Sequence, residues 1–355
     1  MAVNKLNKQQ EVLDVCVDTT KEIPAGRVLR KATLVWKLLV LLLVAGCGVY
    51  MCLIGVDRRT TYDRLSLDPI QQVWRRENLC PRLSRAKFPQ HYPQPRTYSR
   101  KECRCVPVHF FVLLSMQRSG SGWFETLLNS HPNVSSHGEI FSIGRRRANF
   151  STIKQTLDEV YNLEWYSSAA KNECTAAVGF KWMLNQGALA HGDQVADYFR
   201  SRGVSVVFLQ RRNYLKRLIS VMGNAYDRAK PLNGTHVAHV HSREEAELLA
   251  SFKPTIDVAN LLQNLRRVQN MSDETLRIFG TTRLTALYYE DLVKNPRKRV
   301  DVVLRFLGVP RQDLRSKHVK IHTRPLRDSI TNWDDVYRAL NGTEFESLLH
   351  DRDYL

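Results

Sequence analysis

Residues 106–141 contain the part of the sequence that most constrains the fold. A short apolar run at residues 108–114 leads into a turn rich in glycine and serine at residues 117–122, and apolar side chains then follow at helical spacing. A buried strand that continues through such a turn into a helix offers backbone N–H groups and a helix N-terminus to an anion. Gly120 and Gly122 let the backbone approach a phosphate closely. The stretch therefore predicts either an anion-binding loop or an ordinary strand–turn–helix unit.

Arg118 favours the anion-binding interpretation, because a guanidinium is permanently charged and can donate two parallel hydrogen bonds to phosphate oxygens. The turn differs from two common nucleotide motifs. No lysine precedes Ser119 or Ser121, as a Walker loop requires, and Glu125 stands where the third glycine of a dinucleotide motif belongs.

Two later segments also place polar residues directly after an apolar strand. A strand at residues 206–210 precedes Arg212, and Ser220 follows eight residues later in the next predicted helix. A late strand at residues 283–289 leads into the sequence Tyr-Glu-Asp-Leu at residues 289–292. Because the carboxyl ends of parallel strands lie at one edge of a sheet, distant segments of this kind can meet at one ligand.

The three motifs, in this order, resemble those of sulfotransferases that use 3′-phosphoadenosine 5′-phosphosulfate (PAPS). R-S-G-S-G-W at residues 118–123 resembles the loop that holds the 5′-phosphosulfate, which reads K-S-G-T-T-W in cytosolic members. The spacing of Arg212 and Ser220 matches the 3′-phosphate motif, and residues 289–292 resemble the family's late Y-E-D-L/M. The resemblance covers residues 106–310. The members that the chain resembles are luminal carbohydrate sulfotransferases, bacterial nodulation-type and trehalose sulfotransferases, and plant luminal relatives.

The resemblance implies that PAPS is the co-substrate and that no metal takes part. The residues that it assigns to PAPS binding are Arg118, Ser119, Gly120, Ser121, Gly122, Trp123, Arg212 and Ser220. Arg118 would stabilise the departing 5′-phosphate by its charge rather than donate a proton, because arginine does not readily lose one. Trp123 would pack on adenine, or it is an ordinary core residue of the first helical turn.

The catalytic base has two candidates. Cytosolic members use a histidine after the third strand, but residues 180–184 read F-K-W-M-L and contain none. The sequence G-E-I-F at residues 138–141 resembles the glutamate segment of the carbohydrate sulfotransferases, so Glu139 is the predicted base. His137 is the alternative. Lys181 either contacts the acceptor or sulfate, or is a solvated strand end.

Strand and helix patterns alternate through the globular part. This alternation predicts an α/β fold of the P-loop type, in which helices cover both faces of a parallel sheet in one catalytic domain at residues 106–355. The predicted strands span residues 108–114, 134–137, 176–183, 204–210 and 283–289. The predicted helices beyond the first turn span residues 188–200, 215–228, 256–267 and 296–307.

The N-terminal third predicts a membrane anchor. Residues 38–56 are nineteen uncharged, mostly apolar residues, which is long enough to cross a bilayer as a helix. We therefore predict a cytosolic tail at residues 1–32, a transmembrane signal anchor at 33–56 and a stem at 57–105. The expected location is the Golgi membrane, in a single-pass type II orientation with a luminal catalytic domain.

Sequons and cysteines agree with that topology. Five N-x-[ST] sequons follow the apolar run and none precedes it; they begin at Asn133, Asn149, Asn233, Asn270 and Asn341. Four cysteines also follow it and are predicted to form two disulfides: Cys80, Cys103, Cys105 and Cys174. A zinc site is the alternative, but the single residue between Cys103 and Cys105 is too short for the usual spacing.

The net charge of +18 and pI of about 9.8 suit acidic ligands. We expect a carbohydrate or glycoconjugate acceptor, one membrane contact and no nucleic-acid partner, since no nucleic-acid module is present. Two other classes stay open at this point. One is a P-loop kinase or NTPase, and the other is a non-catalytic luminal glycan-binding protein.

Overall fold

Six short strands form one parallel sheet in the computed structural model. The structure describes residues 45–46, 89–171, 174–229, 244, 251–316, 318 and 325–350. The strands are β1 (His109–Ser115), β2 (Val134–Ser136), β3 (Ala177–Gly179), β4 (Lys181–Met183), β5 (Ser205–Gln210) and β6 (Arg283–Tyr288). Their order is β2-β3-β1-β5-β6, and β4 also pairs with β1. All pairings are parallel, so the carboxyl ends of the strands lie at one edge.

Helices cover both faces of the sheet, as predicted. They are α1 (Ser121–Asn129), α2 (Phe150–Tyr161), α3 (Gly192–Arg202), α4 (Tyr214–Ala229), α5 (Leu261–Phe279), α6 (Tyr289–Lys294), α7 (Pro296–Phe306) and α8 (Trp333–Leu340). Alternation along β1 explains the two cores. Phe110 and Val112 pack with α2, α3 and the end of α5, whereas Phe111 and Leu113 pack with α1 and α7. A third core joins α4, α5 and α8.

Some boundaries differ from the sequence prediction. The single strand expected at residues 176–183 is interrupted at Phe180, whose carbonyl oxygen accepts a 2.9 Å hydrogen bond from the Leu113 N–H. The helix expected at residues 188–200 begins later, because a turn at Leu184–Ala188 places Gly187 at a φ of +90°. The helix expected at 256–267 runs on through Leu261–Phe279, because its buried residues continue to Phe279. Helices α2, α6 and α8 were not expected from the sequence pattern.

One of the two predicted disulfides can be located. Cys103 and Cys174 form a disulfide with a Cα–Cα distance of 5.2 Å, which ties the segment before β1 to the segment before β3. Cys105 is also disulfide-bonded. Cys80 lies outside the described residues.

The predicted tail, anchor and most of the stem, residues 1–88, lie outside the described residues apart from 45–46. Among the helices that the structure describes, none combines the length and the hydropathy needed to cross a bilayer.

Candidate active site

The loop between β1 and α1 lies at the carboxyl edge of the sheet. Arg118 and Gly120 both adopt left-handed backbone conformations, with φ values of 63° and 84°. A Cβ atom at position 120 would collide with the ring of Tyr289, so only glycine fits there. The loop is therefore shaped by its glycine and by a residue of the Tyr-Glu-Asp segment, which follows β6.

Arg118 reaches across the site to α4. Its Nε donates a 3.0 Å hydrogen bond to Ser220 Oγ, and its Nη1 lies 3.5 Å from Asn224 Oδ1. The motif resemblance places Arg118 at the 5′-phosphate of PAPS and Ser220 at its 3′-phosphate. The structure brings the two side chains into direct contact, and thus joins the two motifs in one pocket.

Two further arginines lie beside Arg118, and neither was among the predicted site residues. Arg211 follows β5 and is buried, and Arg217 on α4 donates a 2.9 Å hydrogen bond to the Gln117 carbonyl oxygen. Burial and the neighbouring charge of Arg211 lower the pKa of Arg118 to about 10, and the same two causes lower the pKa of Arg217 to about 10. The guanidiniums of Arg118 and Arg217 therefore stay charged at neutral pH. The sequence signal for the two further arginines was their position. Arg211 comes one residue before Arg212, and Arg217 comes four residues after Asn213.

These groups fit an anion. Three like charges that repel one another in a desolvated pocket are stabilised when a phosphate enters. Ser119 Oγ is buried and has no hydrogen-bond partner within the described part of the chain, and a phosphate oxygen would give it one. The pocket thus has the charges and the polar atoms that the 5′-phosphosulfate of PAPS requires.

Arg212 occupies a different position. It forms a two-point ion pair with Asp291 on α6, with Nη2 3.1 Å from Oδ2, and its guanidinium lies 3.9 Å from the centroid of the Tyr288 ring. The hydrogen bond with Asp291 raises the pKa of Arg212 and lowers that of Asp291. Arg212 is about half exposed, at 46%, so its charge is accessible from solvent.

Glu290 connects the second and third motifs. Its buried carboxylate accepts hydrogen bonds from the backbone N–H groups of Arg212, at 3.0 Å, and Asn213, at 3.4 Å. It also lies 3.9 Å from Arg211 Nε. The Tyr-Glu-Asp segment therefore positions the start of α4 by its glutamate and Arg212 by its aspartate.

Trp123 is half-buried in the first turn of α1, and its ring meets that of Tyr289 edge-to-face at 6.2 Å. Tyr289 also lies against Gly120 and 5.4 Å from the Arg211 guanidinium. Trp123 thus belongs to an aromatic wall beside the loop.

Glu139, the predicted base, is held on the other side of the loop. Lys181 Nζ lies 3.2 Å from a carboxylate oxygen of Glu139 and 3.2 Å from one of Glu125. Gln186 Nε2 donates a 3.1 Å hydrogen bond to the second oxygen of Glu139. The Glu139 side chain keeps 35% of its surface exposed, so a substrate can reach it.

Lys181 is a buried ionic residue rather than a solvated strand end. Residue alternation along β4 turns it towards α1, where Glu125 also accepts hydrogen bonds from Ser136 Oγ at 2.7 Å and from the Gly138 N–H at 2.9 Å. Burial lowers the pKa of Lys181, but Glu125 and Glu139 outweigh this effect, so the net pKa is raised. Lys181 is therefore charged and orients Glu139.

His137, the alternative base, is half-buried, and its Nδ1 lies 2.7 Å from Ser167 Oγ. Burial lowers its pKa to about 4. The ring is therefore neutral at pH 7 but a weak proton acceptor.

Comparison with known proteins agrees with the motif resemblance. The chain is 26% identical over 245 residues to nodulation protein H of Rhizobium tropici, which covers 65% of this chain and 89% of that protein. It is 23% identical over 248 residues to nodulation protein H of Rhizobium meliloti, covering 65% of this chain and 91% of that one. The motifs and these relatives together support a sulfotransferase that uses PAPS.

No family model matches the sulfotransferase. Two solved structures are similar to it at low scores. A sulfotransferase from Alicyclobacillus acidocaldarius is 15% identical with a TM-score of 0.37, over 68% of this chain and 96% of that one. A mouse sulfotransferase in complex with PAP is 13% identical with a TM-score of 0.34, over 58% of this chain and 61% of that one.

The predicted Golgi location, with a type II orientation, is wrong. The relatives that the sulfotransferase matches are nodulation proteins of rhizobia, not Golgi proteins. The prediction rested on hydropathy and sequons in the sequence, which are compositional signals and do not specify an organelle.

Proposed function

We propose that this sulfotransferase transfers the sulfuryl group of PAPS to a hydroxyl of a carbohydrate, with Glu139 as the base. The observation that supports this role is the fixed, partly exposed carboxylate, which Lys181 and Gln186 hold at the same sheet edge as the donor loop. Glu139 takes the proton of the acceptor hydroxyl while its oxygen attacks sulfur. The bond between sulfur and the 5′-phosphate oxygen breaks, and adenosine 3′,5′-bisphosphate (PAP) leaves.

Arg118, with Arg211 and Arg217, stabilises the charge that develops on the departing phosphate. Their charges act strongly because water is excluded from their surroundings. They also need no reorganisation during transfer, because they are already in place. The N–H groups at residues 119–122 hold the same phosphate. Arg212 and Ser220 are proposed for the 3′-phosphate, and Trp123 for the face of the adenine.

A cleft between α4 and α5 supports a large hydroxylated acceptor. Its volume is about 780 Å³. One wall is apolar and includes Leu218, Val221 and Met222 of α4, and the other carries the side-chain amides of Gln263 and Asn264 on α5. Sugars present apolar C–H faces and hydroxyls in the same ring, so such a mixed surface suits them.

One residue of the cleft wall is close along the chain to the hydrogen-bond partner of the base. Leu189, which lines it, lies three residues after Gln186, which donates a hydrogen bond to Glu139. The turn at Leu184–Ala188 thus links a residue of the cleft wall to the partner of Glu139 along the chain. An acceptor in the cleft could extend past this turn to the reacting edge.

The test is incubation of the purified protein with labelled PAPS and a panel of oligosaccharides, with PAP binding measured in the absence of magnesium. We expect magnesium-independent PAP binding and label transfer to a saccharide. Binding that requires magnesium would favour a kinase or NTPase instead. PAP binding without transfer to any saccharide would contradict the carbohydrate assignment, and the absence of both would favour a non-catalytic glycan-binding protein.

A further inference from the structure

A run of three arginines follows the proposed base and has no part in the reaction described above. Gly144–Arg147 forms a 3₁₀ turn that comes directly after the turn at Ile140–Ser142, which itself begins one residue after Glu139. It is the only run of three consecutive arginines in the sequence. We call Arg145, Arg146 and Arg147 the arginine turn.

The arginine turn is held on the segment that carries the base. Arg146 Nη1 donates a 2.9 Å hydrogen bond to the carbonyl oxygen of Ile140, and its guanidinium lies 4.5 Å from the centroid of the Trp165 ring. Such a stacked and hydrogen-bonded guanidinium has a defined position. The turn therefore presents its charges at a fixed place relative to Glu139.

The arginine turn also borders the turn that orients the base. A Cβ atom built at Gly187 would lie 3.4 Å from the Cβ of Arg147, which is ordinary contact distance. The preceding residue, Gln186, is the hydrogen-bond partner of Glu139. The base, its amide partner and the arginines thus form one continuous rim.

The charges of the arginine turn are not neutralised locally. Within the described ranges, none of its three guanidiniums lies within 4.0 Å of a carboxylate, and Arg145 is exposed. Other surface arginines are paired, as Arg266 is with Glu344 and Arg338 with Asp335. Burial and the charge of Arg145 lower the pKa of Arg146, and Glu159 only partly offsets this. The rim thus has a local positive potential that an anion would reduce.

We propose that the arginine turn binds a carboxylate of the acceptor, so that the preferred substrate is an acidic oligosaccharide containing uronic acid. This inference rests on the proposed function, because it specifies the acceptor of the same site. An acidic saccharide fits better than an acidic peptide, since aromatic surface adjoins the arginines. Trp165 lies under Arg146, and its neighbour Tyr166 is 79% exposed. Aromatic faces of this kind pack on the C–H faces of sugars.

The experiment compares a uronic acid oligosaccharide with its carboxyl-reduced form, which differs only in charge. The full-length protein is titrated with each in the presence of PAP, and sulfate transfer from labelled PAPS is measured in parallel. Wild-type protein should bind the acidic form, and transfer sulfate to it, at least ~10-fold better, as expected for one charge-assisted contact. In the double variant Arg145→Gln/Arg147→Gln this preference should fall to roughly twofold, while PAP affinity stays unchanged.

The matched control is the double variant Arg297→Gln/Arg305→Gln, which removes the same charge from exposed positions of α7. It should keep the preference. Equal binding of the two saccharides by wild-type protein, or a preference that survives in the arginine-turn variant, would overturn the inference even if neutral saccharides are sulfated. Transfer to an acidic tyrosine peptide with no binding of either saccharide would overturn both the inference and the carbohydrate assignment.

Discussion

Arg118, in the loop after β1, donates a 3.0 Å hydrogen bond to Ser220 on α4, 102 residues further along the chain. This contact joins two motifs that the sequence places at opposite ends of the donor. The donor loop and α4 therefore act as one unit, in which a change to either side chain affects the other. The hydroxyl of Ser220 positions the Arg118 guanidinium, and this guanidinium supplies the charge.

Replacement of Arg118 tests the charge against the hydrogen bond. Arg118→Ala should weaken PAP binding by ~1.5–3 kcal/mol, because a charge-assisted contact is lost, and should also lower turnover. Arg118→Lys should retain part of both, since cytosolic members carry lysine there. Ser220→Ala removes only a neutral partner and should cost ~0.5–1.5 kcal/mol. Calorimetry of PAP binding measures each value, and unchanged affinity in Arg118→Ala would remove this residue from the donor site.

The ion pair of Arg212 with Asp291 makes a second prediction about the donor. A half-exposed pair contributes only ~0–1 kcal/mol, so Arg212 can exchange Asp291 for a phosphate at little cost. Arg212→Ala should weaken PAP binding by ~1–3 kcal/mol. Asp291→Asn should leave PAP affinity unchanged or tighter, because it removes a competing carboxylate. A loss of affinity in Asp291→Asn as large as that in Arg212→Ala would show that the intact pair, rather than the free arginine, matters.

Glu139→Gln should separate binding from chemistry. The amide keeps the size and can still accept a hydrogen bond, but it cannot take a proton, so turnover should fall by roughly 10²–10⁴ while PAP affinity is retained. His137→Gln is the control, since that ring is a weak base. Turnover is measured by transfer of label from PAPS. A large loss in His137→Gln with near-normal turnover in Glu139→Gln would move the base to the histidine.

Lys181 should be as important for stability as for orientation of the base. Lys181→Met leaves the buried Glu125 carboxylate without its cation, which should lower the free energy of unfolding by ~3–5 kcal/mol. In the double variant Glu125→Gln/Lys181→Met no buried charge is left unpaired, so part of that stability should return. Denaturant unfolding of the wild-type protein, of Lys181→Met, of Glu125→Gln and of the double variant checks this. If the loss in free energy of unfolding in the double variant exceeds the sum of the losses in the two single variants, the buried pair is not the cause.

The half-buried His137 predicts a pH effect on folding. The pKa of His137 is lowered from 6.5 to about 4 in the folded protein. Between these values the unfolded chain binds a proton that the folded chain does not, so His137 favours unfolding increasingly as pH falls through this window. As the pH falls from 6.5 to 4, the free energy of unfolding should therefore decline less steeply in His137→Gln than in the wild-type protein. The two slopes should differ by up to ~1.4 kcal/mol per pH unit. Identical slopes in unfolding experiments would contradict this.

The sequence predicted the local features of the site, because each of them depends on residues that are close along the chain. Apolar runs between turns indicated the parallel strands, and Gly120 indicated the tight loop. The order of the three motifs indicated the family, and the position of polar residues after strands indicated the sheet edge where they meet. Periodicity failed to predict the interruption of the strand at residues 176–183 and the late start of α3. Their breaks depend on contacts with β1 and on the backbone at Gly187, which periodicity does not reveal.

Only the tertiary structure decided which side chains face one another. Arg211 and Arg217 join Arg118 because the start of α4 is held by Glu290, a residue more than seventy positions away. Lys181 is ionic and buried because strand alternation and the packing of α1 bring Glu125 to it. Arg212 is paired with Asp291 for the same kind of reason. Spacing along a chain fixes the direction of a side chain within its own element, but packing between elements determines its partners, and the charges and proton affinities of the site follow from those partners.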